Sequence, residues 1–357
     1  MASGADSASG RPAGGGRAPE HGDCVLITGA AGYLGTLTAQ AIRSVRPDLR
    51  LLGVDRIRGD APVDWLIADV AAPDTLRSIA WHEVAAVLHL PALTTMSAER
   101  DFDAALHLNV TATVALLEAC RAEGGRRGRP LRFVFPSSLA VFGGGQATVD
   151  ERSPVRPSST YGFSKVIVEQ YVAEFSRRGF IDGVTLRLPV CIVRPGRTLR
   201  TSAGFLSDLV CAAAAGRPLA LPMPARRRIP VADNAAAAGA LATLALGPGW
   251  SALPPLRQPP TLLQAPALLH LPALLHLPAL SVCAEDLFES LIELGTAIDR
   301  RDYPVAIDAE VMRVTAGWPT RFGTSHPEAL AKFRSGSMRE ILARFLAGVS
   351  RRGPTPR

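Results

Sequence analysis

Residues 27–35 read ITGAAGYLG, and the way this stretch joins its neighbours decides the fold. CVLIT at 24–28 is an unbroken apolar run, and LGTLTAQAIRSV at 34–45 has helical periodicity. Gly29, Gly32 and Gly35 thus fall where a strand gives way to a helix. Gly29 permits the tight turn, Gly32 lets the backbone approach a pyrophosphate, and Gly35 lets the helix pack close to the sheet. Amides at the helix N-terminus, from Tyr33 and Leu34 onward, then meet the phosphate charge. A glycine triplet alone also describes a plain loop. The order strand, loop, helix selects a dinucleotide site.

The same alternation continues downstream. LLGVD (51–55), AAVLHL (85–90), LRFVFP (131–136) and VTLRL (184–188) are short apolar runs of the kind buried parallel strands make. Helix-period stretches such as NVTATVALLEACRAE (109–123) separate them. This pattern predicts an α/β fold, a doubly wound parallel sheet of the Rossmann type. Asp55 closes the second run, 20 residues after Gly35. A carboxylate there accepts hydrogen bonds from the adenosine ribose and repels a 2′-phosphate, so NAD is expected over NADP. Arg56 and Arg58 follow and offset part of that repulsion. Asp69 and Val70, which end WLIADV (65–70), fit a contact to the adenine edge. Asp69 equally suits an N-cap for the helix-like APDTLRSI.

A second stretch, SSTYGFSKVIVEQY at 158–171, carries chemistry. Of the 39 Lys and Arg residues only Lys165 and Lys332 are lysines. Tyr161 and Lys165 lie one turn apart on one helix face, and Val168, Val172 and Phe175 continue an apolar stripe that anchors it. A tyrosine is a poor base near neutral pH, and lowering its pKa by about three units requires about 4 kcal/mol. A nearby ammonium, like a positive nicotinamide ring, favours the phenolate. A planar guanidinium cannot replace a compact ammonium that also grips ribose hydroxyls. Ser137 and Ser138 end the strand expected before this helix, where α/β sheets place ligands. Ser138 is expected to hold the reacting oxygen. Ser137 is expected as a second substrate contact or a loop cap.

Composition narrows the partners. The net charge is +7, but the arginines are scattered. Their short clusters at 126–129, 226–228 and 300–301 read as solvated faces. No zinc-finger, helix-turn-helix or aromatic RNA-binding signature accompanies them, so no nucleic acid partner is expected. Five cysteines without a C-x-x-C pair read as reduced residues of a cytoplasmic protein. Seven histidines without H-x-x-x-H spacing give no metal site. Residues 1–22 and 346–357 are expected as disordered tails. Residues 23–190 are expected as the NAD-binding domain, its sheet extended by later segments, and 191–345 as a smaller substrate lobe. That lobe contains PALLHL twice, at 266–271 and 272–277. Prolines every six residues argue against a membrane span. The region at about 247–275 is expected to loop out as a duplication, with HLPALSV (276–282) forming the strand that follows.

Together the glycine loop, Asp55, HLPAL (89–93), Asn109, Ser138 and Tyr161-x-x-x-Lys165 resemble the extended short-chain dehydrogenase/reductase family over about 24–345. Three stretches, at 176–196, 276–282 and 317–324, resemble an NAD-dependent subgroup of it that oxidises D-erythronate. The resemblance implies that Tyr161 is the general base, Lys165 its activator and ribose holder, and Ser138 the residue that orients the oxygen. It implies that Asn109 packs beneath the site and that Thr94 and Thr95 reach the substrate. Leu90, Leu188, Pro189 and Val190 are implied along the cofactor. Arg226 or Arg227 is implied for the carboxylate of a sugar acid. A homodimer through two helices, one carrying Tyr161, is also implied. Pro91 stands where the family has an amide donor. Two rivals share these residues: a nucleotide-sugar epimerase or dehydratase, and an NAD-binding sensor without turnover.

Overall fold

The computed structural model describes residues 23–195, 204–247, 274–328 and 330–352. The expected N-terminal tail, residues 353–357 and nearly all of the 247–275 insertion lie outside the described residues. The strands are β1 (Cys24–Thr28), β2 (Arg50–Asp55), β3 (Asp64–Ile67), β4 (Val84–His89), β5 (Leu131–Ser138) and β6 (Thr148–Val149). They continue with β7 (Ile181–Leu188), β8 (Val190–Ile192), β9 (Ile229–Asp233), β10 (Leu274–His276), β11 (Leu280–Val282) and β12 (Arg321–Phe322). The helices begin with α1 (Tyr33–Val45), α2 (Pro73–Ser78), α3 (Thr95–Arg100), α4 (Phe102–Leu106), α5 (Ala112–Arg127) and α6 (Thr160–Arg177). Then come α7 (Phe205–Ala214), α8 (Asn234–Leu246), α9 (Ala284–Glu293), α10 (Ala309–Thr315) and α11 (Met338–Arg352).

Seven strands form one sheet in the order β10-β7-β5-β4-β1-β2-β3, and every pair in it is parallel. This is the expected doubly wound architecture. Alternating side chains of β1 show why both faces must be covered. Val25 and Ile27 pack in one core with Ala39, Ile42 and the buried face of α8. Leu26 packs in the other with Leu116, Leu117, Val168 and Val172. Strand order reverses between β1 and β4, so a crevice opens at their C-terminal ends.

Three features depart from the sequence reading. HLPALSV is not one strand. Leu274–His276 joins β7 at the sheet edge, and Leu280–Val282 pairs antiparallel with β9 in a separate sheet with β8. Pro278 stands between them and has no amide to continue a ladder. The substrate lobe is also not contiguous. The Ala- and Leu-rich helix α8 has apolar residues all round and is buried, so it returns to cover the main sheet beside α1. Finally, α11 runs to Arg352, past residue 345 where the folded lobe was expected to end. The lobe's own core joins residues of α7, α9, α10 and α11, such as Leu206, Leu287, Val314 and Leu342.

Candidate active site

A cavity of about 880 Å³ lies over the C-terminal ends of the central strands. All thirteen residues expected along the cofactor line it, from Gly29 in the glycine loop to Pro189 and Val190 after β7. Gly29 has φ +74°, and its amide donates to the Val54 carbonyl at 2.8 Å. A Cβ on Gly29 would lie 3.0 Å from the Pro91 nitrogen, so the proline of HLPAL packs against the turn. A Cβ on Gly35 would lie 2.4 Å from the Gly29 carbonyl oxygen, which explains how close α1 sits to the loop. Asp55 Oδ2 accepts the Ala31 amide at 3.0 Å, bracing the glycine loop from the end of β2. Asp69 Oδ1 accepts the Ala71 amide at 2.9 Å, whereas Ala72 is the N-cap of α2. Asp69 therefore lines the cavity from a turn and caps no helix. A cradle stripped of Cβ atoms, with a carboxylate at the next strand end, fits a dinucleotide: Gly29 and Gly32 would hold its pyrophosphate and Asp55 its ribose.

At the other end of the cavity stand Ser138, Tyr161 and Lys165. Ser138 ends β5 and caps the turn Leu139–Val141, its hydroxyl accepting the Ala140 amide at 3.2 Å. The Ser138 side chain also acts on the Tyr161 phenol, lowering its pKa against the effect of burial. Tyr161 opens α6, whose N-cap Ser159 accepts the Gly162 amide at 3.1 Å. Lys165 is 4% exposed. Its Nζ donates to the Pro136 carbonyl at 2.8 Å and lies 4.4 Å from the Phe135 ring centre and 5.6 Å from that of Tyr161. Burial pushes the Tyr161 phenol up to about 12, opposed by the Ser138 side chain. Burial also pulls the Lys165 ammonium down to about 7, opposed by the charge of Glu169. Desolvation thus works against the charged forms of both members of the pair.

Asn109 lies behind the cavity, in a wide π turn, His107–Thr111. Its side chain takes the Leu93 amide at 2.8 Å and donates to the Leu93 carbonyl at 3.0 Å and the Ser164 hydroxyl at 3.1 Å. It thereby ties the loop after β4 to the helix of Tyr161. Thr94 and Thr95 line the cavity. Ser137 also lines it, but its hydroxyl donates to Glu169 Oε1 at 2.5 Å and so is directed into the protein.

Arg226 and Arg227 do not line the cavity. Arg226 is exposed, and Arg227 is drawn into the lobe by the Thr315 carbonyl and Met312 Sδ. Arg194 lines the cavity instead, over the Tyr33 ring at 6.0 Å. Trp318, from GWPTRFGT, lines it as well. Sequence reasoning missed Arg194, Glu169 and Arg187. Glu169 was readable as the residue four after Lys165 on the same face. Arg187 was readable as a charge inside the apolar run VTLRL. Among the described residues no cluster of three or more His, Cys, Asp or Glu is placed to hold a metal, and no helix is long and apolar enough to cross a membrane.

Comparison with known proteins agrees with this geometry. A family model, the NAD dependent epimerase/dehydratase family, matches residues 25–243. D-erythronate dehydrogenases from Cupriavidus necator and Haemophilus influenzae are 38% and 33% identical to the chain over 202 and 195 residues. Each match covers 52% of this chain and 60% of the relative, less than two thirds of its length. The crystal structure of a nucleoside-diphosphate-sugar epimerase from Agrobacterium tumefaciens superposes with a TM-score of 0.76 at 26% identity, over 95% of this chain and 96% of that one. With the glycine cradle, the strand-end Asp55 and the Ser138, Tyr161 and Lys165 set in one cavity, the chain belongs to the NAD-dependent epimerase/dehydratase family.

Proposed function

We propose that the chain is an NAD-dependent dehydrogenase that oxidises a secondary hydroxyl of a short polyhydroxy acid, D-erythronate to its 2-oxo acid. The observation that carries this reading is that Ser138, Tyr161 and Lys165 line one cavity with the glycine loop, in a chain similar to two D-erythronate dehydrogenases. Bound NAD supplies the hydride acceptor and a positive ring that favours the phenolate. Ser138 holds the substrate oxygen, and Tyr161 takes its proton. Lys165, when charged, stabilises the phenolate from 5.6 Å off the Tyr161 ring centre and offers donors to ribose hydroxyls. Asp55 selects NAD by repelling a 2′-phosphate. The substrate carboxylate is assigned to Arg194, which enters the cavity from the segment after β8.

Likeness to the Agrobacterium epimerase supports a second reading, epimerisation of a nucleotide sugar. The two separate cleanly. Purified chain is mixed with NAD and four-carbon sugar acids, or with UDP-sugars, and NADH absorbance is followed. Net NADH with D-erythronate supports the dehydrogenase. Interconversion of UDP-sugars without net NADH, and no reaction with the acid, overturns it.

Phe102, Phe163 and Tyr171, on α4 and α6, are 52%, 46% and 40% exposed. Large apolar side chains left open on the helix of Tyr161 support a homodimer through this face. All five cysteines are free, which supports a cytoplasmic location.

A further inference from the structure

A second buried cation, Arg187, is paired with Glu169, one turn beyond Lys165 on α6. Glu169 Oε2 accepts from Arg187 Nη2 at 2.6 Å and Oε1 from Nε at 2.8 Å, with side chains 3% and 4% exposed. The Ser137 hydroxyl donates to the same Oε1. Glu169 is one turn beyond Lys165, so both side chains leave the same face of α6. Arg187 Nη1 lies 3.2 Å from His276 Nε2, and His276 Nδ1 lies 2.9 Å from the Gly323 carbonyl oxygen. This geometry fits a neutral ring protonated on Nδ1, and burial holds its pKa down to about 4. Lys165 and Arg187 therefore share one carboxylate, Glu169.

A guanidinium stays charged throughout the working pH range. A buried charge is unfavourable unless it is paired. Were the carboxylate missing, Lys165 is the group that would yield by losing its proton. The other neighbours do not replace Glu169. His89 on β4 is buried and held down to about 3, hence neutral. Tyr161 and Cys191 are both pushed up to about 12 by burial, hence also neutral near pH 7. Among the described residues Glu169 is the anion acting on Lys165.

We propose that Glu169 is a positioning residue of this site: by cancelling Arg187 it leaves Lys165 as the working cation beside Tyr161, and through Ser137 it steadies the strand end that carries Ser138. The proposal rests on the dehydrogenase reading for its role in turnover, but its test does not need a substrate. The chain has two lysines, Lys165 and Lys332, so a side-chain carbon label on lysine gives two NMR signals. Lys165→Met assigns them, and each is titrated in the full chain. Glu169→Gln should lower the Lys165 pKa by about one unit or more. Arg187→Gln should raise it. Glu169→Asp should restore most of the wild-type value.

In rate measurements, Glu169→Gln should move the acid limb of kcat to higher pH, because a less charged Lys165 leaves the Tyr161 phenol harder to ionise. KM for NAD should change little. A Lys165 titration that stays in place in both Gln variants overturns the proposal. So does a fall in kcat with Lys165 unmoved, which marks a packing role. If Glu169→Gln does not fold, the upward shift in Arg187→Gln decides by itself. If these shifts occur in a chain that leaves D-erythronate untouched, the positioning role stands and the dehydrogenase reading fails.

Discussion

Gly162 follows Tyr161 in the first turn of α6 and faces the turn that hangs from Ser138. A Cβ added to Gly162 would lie 2.1 Å from the Ala140 carbonyl oxygen and 2.9 Å from its carbon. Real Cβ contacts essentially never fall under 3.0 Å, so the two segments must part by about 0.9 Å, 3.0 less 2.1. Both partners are backbone and cannot simply rotate away. The helix start is also pinned, with the Thr160 amide donating to Glu99 Oε1 at 2.7 Å. The displacement therefore falls on the Ser138 and Tyr161 pair. A misplacement of about 1 Å in reacting groups costs roughly 100-fold. Gly162→Ala should lower kcat on that scale and destabilise the fold by roughly 1–3 kcal/mol, the usual cost of overpacking. NAD binding at the glycine loop should persist. Gly125→Ala is the control. It is an exposed helix position with nothing within 4 Å of the new Cβ, and should stabilise by roughly 0.5–1 kcal/mol. The measurements are initial rates by NADH formation with D-erythronate, NAD titration and thermal melts. A folded Gly162→Ala protein with kcat within about threefold of wild type would refute this account of how the pair is positioned.

Tyr161→Phe should abolish NADH formation while NAD still binds in titration, since only the proton acceptor is removed. Lys165→Arg should keep the fold but lose most turnover, because the site between the Pro136 carbonyl and the Phe135 ring is sized for an ammonium; wild-type rates near neutral pH would count against it. Asp55→Ser should shift the NADP-to-NAD affinity ratio upward by roughly tenfold or more, as one like-charge contact is removed. Equal ratios in competitive binding would remove Asp55 from cofactor choice. Stability should fall with acid in a defined window. His276 and His89 are held by burial at about 4 and about 3, against an ordinary 6.5. The unfolded chain thus binds protons first. Their contribution is complete above 6.5 and is lost as pH falls through 4 and then 3. Denaturant melts should show this slope, and His276→Gln should flatten its upper part.

Local features were legible in the residues alone. A strand that must turn sharply into a helix needs a residue tolerating φ +74° at Gly29 and no side chain at Gly35, and that requirement is visible in spacing alone. Tyr161 and Lys165 share a helix face by the same arithmetic, and Asp55 stands at a strand end because the apolar run stops there. The alternating runs likewise made the parallel sheet legible. Tertiary structure decided what depends on residues far apart in the chain. Adjacent residues of a strand point to opposite faces, but only the packing of α6 on β5 sends the Ser137 hydroxyl to Glu169, 32 residues away. Arg187 meets His276 across 89 residues, because β10 joins the sheet beside β7. The same long-range packing draws Arg227 toward Thr315 and leaves Arg194 at the cavity. A charged side chain is placed by whichever carbonyls, carboxylates and rings the fold brings within a few ångströms, and no periodicity along the chain records those neighbours.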